Sequence, residues 1–222
     1  MRIPLAGYGI RELLLGSMLC AAAVGFSLWF FWPLALPCLA VWVWLISFFR
    51  DPDRECPQDE NALLSPADGT VMDIETVDPP ADYLEGPVVR VGIFMSIFNV
   101  HVNRSPAAGT VGFRRYVPGT FRDARDNRAA TENEHNLLGL ERPDGRRIMV
   151  NQIAGAVARR IVCAVEPGDS LAAAERFGMI KFGSRLELFV PQNDKVAVKV
   201  ATGDKVKAGR DVLVIYKPTD QE

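Results

Sequence analysis

Histidine and cysteine are scarce in this chain of 222 residues: two histidines, His101 and His135, and four cysteines with no C-x-x-C pair. So few imidazoles argue against a His-rich metal centre. The cysteine spacing offers neither a zinc site nor a disulfide framework, as in a reducing compartment. Basic excess is lacking too. Lys and Arg number 25 against 27 Asp and Glu, the net charge is -2, and nucleic acid is not an expected partner. The longest absence is of charge itself. From Leu13 to Phe49 no Asp, Glu, Lys or Arg occurs, and all four tryptophans (Trp29, Trp32, Trp42 and Trp44) fall inside that run.

An uncharged run of about 18 residues or more reads as a membrane span. This one is much longer, and Pro33 and Pro37 interrupt its middle, where proline weakens a helix. A transmembrane helical hairpin follows, with helices over about Glu12–Phe31 and Leu36–Phe49. The second helix is short for a full crossing, so one span followed by an interfacial helix is the alternative. Arg2 and Arg11 on one side, and Arg50 and Arg54 on the other, place both ends in the cytoplasm. Tryptophans suit the lipid–water interface. Cys20–Ala23 has the look of a signal-peptide cleavage region, but the apolar run continues far beyond it.

The expected organisation is an anchor over 1–50, a charged, proline-rich linker over 51–62 and a β-rich domain over 63–222. Val88–Met95 and Val212–Tyr216 are strand-like, and 195–200 alternates with period two. Phe121–Asn136 is polar with few anchors and reads as a long loop or mobile lid. Gly168-Asp169-Ser170-Leu171-Ala172-Ala173-Ala174 recurs 35 residues later as Gly203-Asp204-Lys205-Val206-Lys207-Ala208-Gly209. Each copy leads into an apolar run, so one structural unit is used twice. The pattern resembles the turn-and-strand units of barrel-sandwich domains. The expected fold class is therefore a mainly β (α+β) domain with barrel-sandwich-like units behind the membrane hairpin.

Three residues can carry chemistry. Asp68, in Pro66-Ala67-Asp68-Gly69, is by itself a turn residue. His101, in Asn99-Val100-His101-Val102-Asn103-Arg104, is by itself a strand histidine satisfied by backbone. Ser184 follows Gly183 in Phe182-Gly183-Ser184-Arg185, by itself a turn. Together they supply a carboxylate, a base and a nucleophile. A serine hydroxyl needs such a base to attack, and neutral histidine serves near pH 7. The Asp…His…Ser order also occurs in serine hydrolases, but the G-x-S-x-G elbow is missing. A membrane-anchored carrier module would need a lysine flanked by methionines at a hairpin tip, and no Met-Lys-Met occurs.

These motifs, with Gln152–Val162 and Glu175–Arg185, make the chain resemble the short, membrane-anchored form of phosphatidylserine decarboxylase. The resemblance implies a self-cleaving proenzyme cut between Gly183 and Ser184 into a β chain, 1–183, and an α chain, 184–222. It implies that Ser184 becomes a covalent pyruvoyl group that forms a Schiff base with the substrate, with no metal. His101 would be the general base and acid, and Asp68 would orient it. The reaction implied is conversion of phosphatidylserine to phosphatidylethanolamine and CO2. The expected partners are the phospholipid, the membrane and the two chains of one proenzyme; a homo-oligomer is compatible with this. The expected location is the cell inner membrane with a cytoplasmic catalytic domain. Longer members of the family often carry a second histidine where this chain has Phe98. His135 stands where relatives often have arginine and reads as a solvated loop residue. Arg104, Arg114, Arg115 and Arg185 are candidates for the substrate phosphate, and Arg159-Arg160 for anionic head groups.

Overall fold

The computed structural model describes residues 4–126, 128–156, 160–181, 183–193 and 195–217. Arg2, Arg159 and Phe182, used above, lie outside them, as do Val157 and Ala158. The chain forms two compact units, 1–53 and 54–222.

The first unit is helical. Helix α1 spans Ile10–Phe30 and α2 spans Ala35–Phe48. The break comes at Phe31, whose extended backbone precedes a short turn containing Pro33. Pro37 falls in the first turn of α2, where its missing N–H removes no helical hydrogen bond. The two helices pack as a hairpin. A Cβ on Gly16 would stand 2.6 Å from Leu45 Cδ2, so the absent side chain sets the approach. Ser27 Oγ donates to the Ala23 carbonyl and lies 3.7 Å from Cys38 Sγ. Ala6 N–H donating to the Phe49 carbonyl closes the open end. Most large apolar side chains here face outward, Trp29 at 90% exposed. The helical segment Gly7–Phe30 is long and apolar enough to cross a membrane.

The second unit is built of antiparallel strands: β1 (Ala62–Leu64), β2 (Gly69–Val77), β3 (Val88–Met95), β4 (Val102–Arg104), β5 (Gly109–Val117), β6 (His135–Glu141) and β7 (Arg147–Ile153), with a short helix α3 (Ala129–Glu132) before β6. Then come β8 (Arg160–Cys163), β9 (Ser170–Leu171), β10 (Arg176–Lys181), β11 (Ser184–Pro191), β12 (Val196–Val198), β13 (Lys205–Val206) and β14 (Val212–Tyr216). Among the described residues they make an eight-stranded sheet, β13-β2-β3-β11-β7-β6-β5-β9, and two three-stranded sheets, β1-β14-β12 and β4-β10-β8. The inward side chains of β11 (Leu186, Leu188, Val190) join Val91, Ile93, Val150 and Phe177 in the main core.

These sheets repeat each other. Ser65-Pro66-Ala67-Asp68-Gly69-Thr70-Val71 returns 40 residues later as Ser105-Pro106-Ala107-Ala108-Gly109-Thr110-Val111. Both serines donate Oγ–H to the carbonyl two residues on, at 2.7 and 2.6 Å. Both strands that follow carry a bulge, between Val71 and Asp73 and between Val111 and Phe113. Gly203 N–H donates to the Val71 carbonyl as Gly168 N–H does to that of Val111. Gly209 and Ala174, equivalent in the 35-residue repeat, both have left-handed backbones, φ 69° and 61°. The domain is thus a duplication. One half is continuous (β4 to β10), and the other is split around it (β1 to β3, then β11 to β14).

Two short links join the halves. The first runs from Ser96 to His101, and the second, between β10 and β11, includes Gly183. The candidate catalytic histidine and serine lie on or beside these links.

Candidate active site where the two halves cross

The links lie side by side. The His101 backbone carbonyl accepts from Ile180 N–H of β10 at 3.3 Å. Its imidazole Nε2 accepts from Gly183 N–H, also at 3.3 Å. Nδ1 stands 3.0 Å from the Asn99 carbonyl, which can only accept. Nδ1 therefore carries the proton, and Nε2 presents its lone pair to the Gly183–Ser184 segment. His101 is fully buried.

Gly183 has φ 67°, a backbone that side-chain-bearing residues rarely adopt. Its carbonyl lies against Gly155, where a Cβ would come within 2.4 Å of the oxygen. Ser184 opens β11 and is buried. Burial follows from its place at the start of a central strand. Its register partner on β3 is Met95, whose sulfur lies 3.4 Å from Ser184 Oγ. Thioether sulfur is a weak acceptor, so it holds the hydroxyl loosely.

Asp68 is expected at the imidazole; the Asn99 carbonyl occupies Nδ1 instead. The Asp68 carboxylate is buried and meets Arg54 Nη2 at 3.0 Å, Lys207 Nζ at 3.5 Å and Ala208 N–H at 2.9 Å. The duplication supplies an internal control. Ala108 holds the equivalent place in an equivalent turn, so the turn does not require a carboxylate. Asp68 is linked to the histidine's strand through its loop, because the Pro66 carbonyl accepts Arg104 N–H of β4 at 3.0 Å.

Further residues complete the surroundings. Asn103 Oδ1 accepts from Gln152 Nε2 at 2.8 Å, and Gln152 Oε1 from Asn136 Nδ2 at 3.0 Å. All three are buried, and Asn103 Nδ2 reaches the Met95 sulfur at 3.9 Å. Asn103 and Gln152 stand in quoted motifs, yet only the fold brings them together. On the opposite face of β11, Arg185 pairs with Asp73 at 3.0 Å and Glu187 at 2.7 Å. Burial pushes the Glu187 carboxyl up, while the positive charges of Arg185 and Arg90 pull it down.

The segment expected to be a long loop or mobile lid is anchored at Asn133. Asn133 is buried; its Oδ1 accepts from Arg122 N–H and Thr120 Oγ1, and its Nδ2 donates to the Arg122 and Ala154 carbonyls. This satisfies the whole amide and ties the loop to the residue before Gly155. One polar residue gives the anchorage that apolar counting overlooked. Asn133→Ala is expected to lower unfolding stability by about 2–3 kcal/mol. It should also open the loop to limited trypsin digestion, both measurable against the parent protein. His135, expected in a solvated loop, instead opens β6 and is half-buried, its Nδ1 2.7 Å from the Asn133 carbonyl.

The four arginines offered for phosphate are already engaged. Arg104 reaches the Ala174 carbonyl, Arg114 the Val165 carbonyl and Glu166, Arg115 the Pro80 carbonyl, and Arg185 the carboxylates named above.

A family profile described as phosphatidylserine decarboxylase matches residues 43–214. The chain belongs to the phosphatidylserine decarboxylase family. It is accordingly a decarboxylase. Curated relatives named phosphatidylserine decarboxylase proenzyme include one from Geotalea uraniireducens, 46% identical over 80% of this chain and 81% of its own length. Another, from Rhodopirellula baltica, is 40% identical over 97% of this chain and 89% of its own. A third, from Nitrosomonas eutropha, is 41% identical and covers 91% of both.

Proposed function

We propose that the chain cuts itself between Gly183 and Ser184 and then decarboxylates phosphatidylserine to phosphatidylethanolamine. The observation that carries this is a buried imidazole whose Nε2 accepts from Gly183 N–H, beside a fully buried serine. A serine shut away from solvent has its own chain as its nearest acyl group, which favours self-cleavage over hydrolysis of an outside substrate.

In this reading Ser184 Oγ turns from the Met95 sulfur and gives its proton to His101 Nε2. Oγ bonds to the Gly183 carbonyl carbon, and the Gly183–Ser184 C–N bond breaks, leaving an ester. His101 returns the proton to the departing amine. Loss of the Ser184 Cα proton and the Cβ–O bond frees Gly183 as a carboxylate and leaves a dehydroalanine. Hydrolysis of its imine form releases ammonia and leaves a pyruvoyl group at position 184. Asp68 orients His101 from a distance in this reading, through the loop that accepts Arg104 N–H. Its contacts with Lys207 and Ala208 would also join the fragments after the cut.

The residues present fit such a group. Gly155 leaves space at the Gly183 carbonyl, and position 184 is buried at the head of a paired strand. When formed, the pyruvoyl carbonyl supplies an electron sink for the pair left as CO2 departs. His101 Nε2 would deliver the proton to the carbon that lost CO2. Ladders to β3 and β7, and the Arg185–Asp73 bridge, would hold the new end of the α chain in place. The hairpin of α1 and α2 would be the membrane anchor, in the cell inner membrane with the domain on the cytoplasmic side.

Intact-mass measurement of purified protein tests this. The expected species are residues 1–183 and 184–222, the latter with a carbonyl-reactive, Edman-blocked start. The preparation should also release CO2 from carboxyl-labelled phosphatidylserine. A single uncut chain under conditions that release CO2 would refute the cleavage.

A further inference from the structure

Outside the helical unit, the exposed large hydrophobic side chains among the described residues are Ile97, Phe98 and Tyr116. Two of them are adjacent, and they stand on the link that carries His101. Scattered apolar side chains on a surface are ordinary. A pair concentrated beside the reacting bond is different.

The pair is presented on a built turn. Asn99 Oδ1 accepts from both the N–H and the Oγ–H of Ser96 at 2.8 Å, and Asn99 N–H donates to the Ser96 carbonyl at 2.9 Å. The Asn99 carbonyl then meets His101 Nδ1. One residue thus closes the turn that exposes Phe98 and holds the imidazole within. Phe98 is 69% exposed and Ile97 is 38% exposed. Ile97 Cγ2 lies 3.7 Å from where a Cβ on Gly183 would be.

We propose that the Ser96–Asn99 turn is a membrane wedge, with Ile97 and Phe98 entering the boundary between head groups and acyl chains and seating the site on the lipid surface. The inference rests on the phospholipid reading above. Two observations select a bilayer as the occupant. The same polypeptide carries a helix long and apolar enough to cross a membrane, so the domain is tethered where lipid is its nearest neighbour. And the turn from Ser96 to Val100 holds no charged residue to oppose entry into lipid. The wedge itself carries no charge. In the neighbouring loop Arg122, Arg125 and Arg128 are each paired with an acid, Glu132, Asp123 and Asp126. Docking of this kind draws on buried apolar area, so it is insensitive to salt.

The test uses the full chain reconstituted in vesicles and two substrates, long-chain phosphatidylserine in the bilayer and water-soluble dihexanoyl phosphatidylserine. Phe98→Ser is expected to lower kcat/KM on the bilayer substrate about tenfold, the loss of most of one buried phenyl ring. The soluble substrate should be turned over as before, self-cleavage should be complete, and Phe98→Leu should restore most of the difference. Unchanged kcat/KM on vesicles, or an equal loss on both substrates, overturns the wedge. A parent protein inactive on both substrates would instead refute the phospholipid reading. If Phe98→Ser fails to fold, a second measurement decides. Phe98→Trp is placed in a chain whose four native tryptophans are phenylalanine. Its emission should shift to the blue on vesicles and be quenched by brominated acyl chains. Water-like emission, indifferent to bromolipid, overturns the proposal.

Discussion

His101→Ala is expected to leave nearly all of the chain uncut, with self-cleavage slowed about 10³-fold, the usual worth of a positioned base. The imidazole is the group whose Nε2 accepts from Gly183 N–H, and its Nδ1 proton is committed to the Asn99 carbonyl. In the proposed cleavage, removing it takes away the acceptor for the Ser184 hydroxyl proton, while Met95 sulfur is too weak a base to replace it. The cavity left would be open to a small base. Added imidazole should therefore restore part of the rate, and it should do nothing for Ser184→Ala. His101→Gln is the sharper control. Its amide can accept the Gly183 N–H but cannot carry the proton, so it should fold like the parent and stay uncut. Normal processing in either His101 variant would assign the base to another group.

Much of this architecture is legible in the residues, and what is missing has physical causes. The strand at Val88–Met95 and the 35-residue repeat follow from local periodicity and turn chemistry, which need no long-range knowledge. The second repeat, SPADGTV and SPAAGTV, is equally visible as text, and with the first it reveals the duplication. The meeting of His101 with Gly183 is not visible. The two are brought together because one half of the duplication is inserted in the other, which places both junctions at one crossing. Asp68 shows the converse. The family resemblance gives it the role of orienting the histidine, while its direct partners are set by three-dimensional reach, and Arg54, Lys207 and Ala208 are in reach. The anchorage at Asn133 leaves no apolar signature in the sequence, because a single fully bonded amide can pin a polar loop without any apolar residue.

The crossing also explains how a cut could be made without loss of the fold. Fragment 184–222 would contribute β11 to the middle of the large sheet, and β13 and β14 to two different sheets. β11 pairs with β3 along its whole length and with β7 along much of it. Breaking one peptide bond at the head of such a strand removes no ladder. The split half of the duplication is already held to the other by packing and hydrogen bonds rather than by the two links.

Gly155→Ala is expected to be the most severe change outside the proposed catalytic groups, slowing cleavage by about 10²-fold or more. A Cβ there would lie 2.4 Å from the Gly183 carbonyl oxygen and 3.3 Å from its carbon. The neighbour is backbone, so no flexible side-chain end can give way. Ala124 Cβ, at 3.3 Å, narrows the other direction. Ala154 beside it is held by Asn133 Nδ2 and by a hydrogen bond to the Glu134 carbonyl, so Gly155 cannot easily retreat. The strain must therefore move the Gly183 carbonyl, which is the atom pair that Ser184 would attack. The measurement is the rate of appearance of fragment 184–222 in freshly synthesised protein, alongside thermal unfolding of the uncut chain. Slow cleavage with a melting temperature within a few degrees of the Ser184→Ala protein would place the effect at the scissile carbonyl. Cleavage at the parental rate would show that this segment yields, and that the carbonyl's position does not depend on Gly155.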